Sequence, residues 1–170
     1  MKNKIKILIF VAFLGTLFFI IYNINNKLNY KNEVIERIKI MPNFSFLDLK
    51  GVTYTQNDLL VKPTIFIYFN SDCDYCHLEA SKIKKRIKDF KNIQLIFISF
   101  EKKETIITFA EKYRLNNQKN IIFLEDRKVQ FSKIFDANSI PYIVIYDKNK
   151  KLLKKIKGLV KIDKIINSVK

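Results

Sequence analysis

Two apolar segments joined by a helix that starts with a cysteine pair constrain the fold of this chain more than any other feature. The run Ile65–Phe69 predicts one strand, and residues 93–100 predict a second strand after a helix that ends near Phe90. Cys73 and Cys76, the two cysteines of the sequence, fall in the first turn of that helix. A strand, a helix and a strand in this order predict parallel strands joined by a crossover.

The remainder of the chain continues the alternation of strands and helices. A hairpin is predicted to turn at residues 48–51, and a brief helix is predicted to begin at Thr55. Further elements are predicted after the central unit: a helix at 103–113, strands at 121–124, 142–146 and 151–156, and helices at 129–135 and after Gly158. We therefore expect an α/β domain with a central mixed β-sheet flanked by helices.

The N-terminus carries three lysines followed by an uncharged apolar run over residues 7–22. A signal peptide and a membrane anchor both fit such a run, but no small-residue cleavage pattern follows it, which favours an uncleaved transmembrane signal anchor. The lysines should remain cytoplasmic and place the domain on the extracytoplasmic face of the cell membrane. The predicted organisation is an anchor, a stalk and a folded domain, at residues 1–24, 25–40 and 41–170.

The formal net charge of +16 raises the question of a nucleic-acid partner. The positive charge is mostly lysine and is spread along the chain, without the arginine clusters and exposed aromatic platforms typical of strand or base recognition. We therefore predict no nucleic-acid partner, and a weak attraction to anionic lipid headgroups stays open.

The cysteine pair lies on one face of the predicted helix, in a stripe with spacings of three and four residues: Cys73, Cys76, Ala80, Ile83, Ile87 and Phe90. The helix N-terminus favours the thiolate of Cys73, which would attack a partner disulfide. Cys76, one turn further in, would then resolve the mixed disulfide. Three alternatives remain: an inert disulfide, c-type haem attachment through the Cys-x-x-Cys-His pattern, and a copper carrier that uses Cys73, Cys76 and His77.

Residues 40 to 160 resemble the thioredoxin-like superfamily, specifically its membrane-anchored or periplasmic thiol-disulfide oxidoreductases of the TlpA and ResA type. The resemblance rests on the leading hairpin, the strand entering Cys73-Asp74-Tyr75-Cys76, and the Ser139-Ile140-Pro141 segment before an apolar strand. It implies a thioredoxin-like fold in which Pro141 is a cis proline against the cysteines.

The resemblance also implies how such a site works. The backbone of Ile140 would bind an extended segment of a protein disulfide substrate, and Glu79 would handle a proton one helix turn from Cys76. No cofactor is expected, because no dinucleotide-binding glycine motif is present, so the electrons would come from a membrane partner.

Two departures from the family pattern bear on the chemistry. Ser71-Asp72 replaces the tryptophan that usually precedes the first cysteine, and the pair between the cysteines is Asp74-Tyr75. We expect Asp72, Asp74 and Tyr75 to contact the substrate, and the two negative charges to disfavour the thiolate and make the couple reducing. A peroxiredoxin would carry Thr or Ser three residues before its peroxidatic cysteine, and this chain has Asn70 there, which disfavours a peroxiredoxin.

Overall fold

The computed structural model describes residues 2–169 and divides the chain into two compact units, Met1–Arg37 and Ile38–Lys170. One long helix, α1 (Lys2–Ile38), accounts for the first unit. The large apolar side chains between Ile5 and Leu28 are exposed, and by length and composition the span Asn3–Ile38 could cross a membrane. The segment predicted as a stalk continues this helix without a break as far as Ile38.

The second unit is built on a seven-stranded sheet. Its strands are β1 (Ser45–Asp48), β2 (Thr53–Thr55), β3 (Thr64–Tyr68), β4 (Gln94–Ser99), β5 (Ile121–Glu125), β6 (Tyr142–Tyr146) and β7 (Leu152–Lys157). The strand order is β2-β1-β5-β4-β3-β6-β7. β3, β4 and β5 are parallel and the other pairs are antiparallel, so the predicted mixed sheet is confirmed.

Four helices accompany the sheet: α2 (Asp74–Lys85), α3 (Lys103–Lys112), α4 (Gln130–Phe135) and α5 (Ile162–Ile166). β3, β4 and β6 are buried at every position, because both faces of the central strands are covered. The resulting architecture is a thioredoxin-like α/β fold, with a central mixed sheet flanked by helices.

The structure corrects the sequence prediction in two places. The helix expected to reach Phe90 ends at Lys85, where the Arg86 N–H bonds to carbonyls three and four residues back and a 3₁₀ turn, Ile87–Phe90, follows. The brief helix predicted from Thr55 is wrong. The carboxylate of Asp58 instead accepts hydrogen bonds from the backbone N–H (2.8 Å) and hydroxyl (2.9 Å) of Thr55, which closes a turn.

Strand register determines which segments meet beside the cysteines. Tyr68, the last residue of β3, pairs with Ile98 near the end of β4 and with Tyr142 at the start of β6. The turn after β3 therefore shares an edge of the sheet with the loop after β4 and with Pro141, which precedes β6.

Candidate redox site at the start of helix α2

Cys73 is the N-cap of α2. Its backbone is extended (φ −93°, ψ 109°), and its sulfur accepts a hydrogen bond from the Cys76 N–H at 3.2 Å. Cys73 is partly exposed, Cys76 is 2 % exposed, and both are free thiols. An N–H donor and the positive end of the helix dipole both stabilise a thiolate at Cys73.

The two sulfurs differ in environment. Burial raises the pKa of the Cys76 thiol, and the neighbouring Cys73 and the carboxylate of Glu79 raise it further. Cys76 therefore keeps its proton while the accessible Cys73 can act as the nucleophile.

The predicted stripe on α2 is confirmed as the face toward the sheet. Cys76, Ala80 and Ile83 are buried in the main hydrophobic cluster, as is Phe90 in the 3₁₀ turn. Cys73 and Ile87 pack at the margin of that cluster. The helix is thus held against the sheet along the whole line that begins with the cysteines.

Glu79 lies one helix turn beyond Cys76 and is 1 % exposed. Its Oε2 accepts a hydrogen bond from the Val160 N–H at 3.4 Å, and its Oε1 has no hydrogen-bond partner among the described residues. Burial raises the pKa of this carboxyl to about 7, although the Val160 N–H and the charge of Lys82 act in the opposite direction. The group can therefore exchange a proton near neutral pH.

The segment before β6 contains a cis peptide bond between Ile140 and Pro141. The Pro141 carbonyl accepts a hydrogen bond from the Gly158 N–H at 2.8 Å, and the half-buried Ile140 packs on the main cluster. Strand register places Pro141 at the edge of the sheet from which the cysteine turn emerges.

The remaining predicted contact residues lie on the surface around Cys73. Asp72, Asp74 and Tyr75 are exposed, Tyr75 at 60 %. They thus present two carboxylates and an aromatic ring to any partner that approaches Cys73.

His77 does not join the cysteines in a metal site. Its Nδ1 is 2.8 Å from the hydroxyl of Tyr113, and its ring stacks on Phe109 with centroids 5.3 Å apart. Adjacent helix residues point about 100° apart, so His77 turns toward α3 while Cys76 turns into the core. Within the part of the chain that the structure describes, no three His, Cys, Asp or Glu side chains form a group that could hold a metal. The copper hypothesis therefore loses its histidine ligand.

Sequence reasoning missed Glu101, which follows β4 and bonds to Ser71 in the cysteine turn. A signal was available: β3 and β4 are predicted as parallel neighbours, so the residues that follow each strand meet at one edge of the sheet. The contact between His77 and Tyr113 had no such signal, because it depends on how α2 and α3 pack.

Comparison with protein families identifies the domain. Residues 39–161 match the model of the AhpC/TSA family, and this match covers more than half of the chain. The chain therefore belongs to the AhpC/TSA family. A search of curated protein sequences found no match.

Solved structures share the fold at low sequence identity. A secreted disulfide oxidoreductase of Mycobacterium tuberculosis, homologous to E. coli DsbE, is 18 % identical with a TM-score of 0.63, covering 78 % of this chain and 96 % of that one. Peroxidoxin BcpB of the same organism is 18 % identical (TM-score 0.64; 76 % and 92 %). Arabidopsis thaliana ScoI with copper bound is 15 % identical (TM-score 0.62; 76 % and 97 %). The three names differ in chemistry, so the fold alone does not choose among them.

Proposed function

We propose that this member of the AhpC/TSA family is a membrane-anchored, extracytoplasmic thiol-disulfide oxidoreductase that reduces disulfides in proteins. One observation carries the proposal: the accessible Cys73 sulfur at the N-cap of α2 accepts a hydrogen bond from the backbone N–H of the buried Cys76. This arrangement separates an attacking sulfur from a resolving sulfur.

The reaction begins with the Cys73 thiolate. It attacks one sulfur of the substrate disulfide, forms a mixed disulfide and releases the other substrate sulfur as a thiolate that takes up a proton. The Cys76 thiol then loses its proton to the Glu79 carboxylate, and its sulfur attacks Cys73. The second substrate thiol leaves, and the enzyme holds a Cys73–Cys76 disulfide in place of the one it reduced.

The substrate would lie across the surface around Cys73. The Ile140 backbone supplies hydrogen bonds to an extended segment, as in β-strand addition. Asp72, Asp74 and Tyr75 provide exposed contacts beside the reacting sulfur. Pro141 shapes this surface at the start of β6.

The negative charges beside Cys73 support the reducing direction, and a reductant needs a partner that returns its electrons. The carboxylates of Asp72 and Asp74 disfavour the Cys73 thiolate and thereby favour the disulfide form of the couple, which makes the dithiol a reductant. Two electrons must return to the protein after each cycle, and a membrane electron donor would supply them to a domain tethered through α1.

Disulfide reduction and covalent trapping test this function. The full chain, purified in detergent and reduced, should reduce insulin disulfides, and Cys73→Ser should abolish the activity. Cys76→Ser should accumulate a mixed disulfide through Cys73, detectable by mass spectrometry after reaction with a disulfide-bonded peptide. Trapping through Cys76 in the Cys73→Ser variant would reverse the assignment of the two sulfurs, and an inactive parent chain would refute the proposal.

A further inference from the structure

Glu101 stands two residues beyond the end of β4, and its carboxylate receives three hydrogen bonds. Ser71 donates two of them, from its backbone N–H to Oε2 (2.8 Å) and from its hydroxyl to Oε1 (2.5 Å). The buried hydroxyl of Ser99 donates the third to Oε2 (3.0 Å). Because hydrogen bonds to an ionised carboxylate are roughly twice as strong as neutral ones, these two bonds hold Ser71 firmly to Glu101.

Ser71 lies in the turn between β3 and α2, two residues before Cys73. Local hydrogen bonds close this turn on itself, since Asn70 accepts from the N–H groups of Asp72 (2.7 Å) and Cys73 (3.3 Å). Glu101 adds a link from the turn to the end of the neighbouring strand. The turn is thereby fixed relative to the sheet as well as internally.

The direction of the Cys73 side chain depends on this turn, because Cys73 is the residue at which the turn becomes helix. Its sulfur accepts the Cys76 N–H at 3.2 Å, and a shift of about 1 Å would lose this hydrogen bond. We propose that Glu101 is a positioning residue of the redox site: it holds the turn so that the Cys73 sulfur stays on the Cys76 N–H. This inference rests on the proposed function and adds a residue to the same site.

A carboxylate near a thiolate could also act through its charge, and that effect would have the opposite sign. Negative charge disfavours a nearby thiolate, so its removal would speed reactions of Cys73, whereas loss of a positioning contact would slow them. Two variants separate these roles. Glu101→Gln removes the charge together with one acceptor oxygen, and Ser71→Ala removes one donor while the charge stays.

The experiment measures alkylation of Cys73 by iodoacetamide in the full chain as a function of pH. A Cys76→Ser background leaves one reporting thiol and keeps the backbone N–H of residue 76. We expect Glu101→Gln and Ser71→Ala to react about tenfold more slowly than the parent at neutral pH, with pH–rate profiles moved to higher pH. Faster alkylation of Glu101→Gln, or parental rates in both variants, would overturn the proposal.

The matched control is Glu104→Gln, which removes an exposed carboxylate at the start of α3 and should leave the rate unchanged. Thermal unfolding verifies that each variant is folded, and Ser71→Ala decides the outcome if Glu101→Gln does not fold. Insulin reduction by the parent chain distinguishes a failure of the proposed function from a failure of the role of Glu101. An inactive parent removes the proposed function, whereas an active parent with parental alkylation rates in both variants removes only the role of Glu101.

Discussion

At the scale of single residues, the buried carboxyl of Glu79 has the clearest consequence for the chemistry. Because its pKa is about 7, this carboxyl becomes ionised as the pH rises through neutrality, and only the ionised form can accept a proton from Cys76. The resolving step of the parent should therefore accelerate over this range, and Glu79→Gln should be on the order of 10²-fold slower at pH 8 with a flatter profile. Stopped-flow resolution of the mixed disulfide measures this step. Identical profiles for variant and parent would exclude Glu79 as the proton acceptor.

The same carboxyl should make the fold sensitive to pH. Because the pKa in the folded state lies above its usual value of 4.5, the stability linked to protonated Glu79 is present below pH 4.5 and is lost as the pH rises through about 7. The free energy of unfolding of Glu79→Gln, relative to the parent, should thus increase by about 3 kcal/mol between pH 4 and pH 8. Urea unfolding at a series of pH values measures the difference, and a constant difference would contradict the prediction.

The charges of Asp72 and Asp74 should set the redox potential. Removing both in Asp72→Asn/Asp74→Asn should favour the thiolate and raise the reduction potential of the cysteine couple by about 30 mV. Equilibration with glutathione buffers measures the potential. Glu111→Gln removes an exposed carboxylate on α3 and serves as the control, and a fall in potential in the double variant would show that these charges do not act on the thiolate as argued.

At the scale of elements, α2 presents the cysteines because its buried stripe holds it against the sheet. Ile83 in that stripe is fully buried, so Ile83→Ala should reduce the free energy of unfolding by about 3 kcal/mol, the range for deleting a large core side chain. Urea denaturation measures the loss. Leu78→Ala, on the exposed side of the same helix, should change the value by less than about 0.5 kcal/mol. Equal losses in both variants would contradict the assignment of the buried face.

Elements with a strong local pattern could be predicted from the sequence. The strands at Ile65–Phe69 and Tyr142–Tyr146 are continuous apolar runs, and such runs are typical of strands buried on both faces. The end of α2 could not be predicted, since no Gly or Pro marks Arg86 and the helical stripe continues through Ile87 to Phe90. Side-chain packing on the sheet is preserved there even though the backbone tightens into a 3₁₀ turn.

The residues that support the site were harder to predict than its reactive groups. Cys73 and Cys76 carry a motif, and the resemblance supplied Glu79 and Pro141. The contacts of Glu101 with Ser71 join residues 30 positions apart, and those of His77 with Tyr113 join residues 36 apart. The contact of Glu101 with Ser71 could have been expected from the parallel order of β3 and β4. The contact of His77 with Tyr113 depends on how α2 and α3 pack, which hydrophobic periodicity does not encode.

At the scale of the whole molecule, the chain enters the second unit at one edge of the sheet, and the cysteines lie at the opposite edge. The chain enters beside the turn between β6 and β7, where the Met41 N–H bonds to the Lys150 carbonyl at 2.9 Å and the Leu152 N–H to that of Lys39 at 2.9 Å. β6 begins at the cysteine edge and ends at this opposite edge. Residues 39–41 therefore lie at the edge of the sheet opposite the turn that carries Cys73.

The thiols of the chain can report its membrane topology. If α1 is an uncleaved anchor with its N-terminal lysines in the cytoplasm, the chain should resist alkaline extraction from membranes. An impermeant maleimide should then label Cys73 in spheroplasts without lysis. Leu14→Arg/Phe18→Arg places two charges in the apolar run and should release the chain from the membrane fraction. Cys73 that reacts only after lysis would place the domain in the cytoplasm, and a chain shortened by about 20 residues would identify α1 as a cleaved signal peptide.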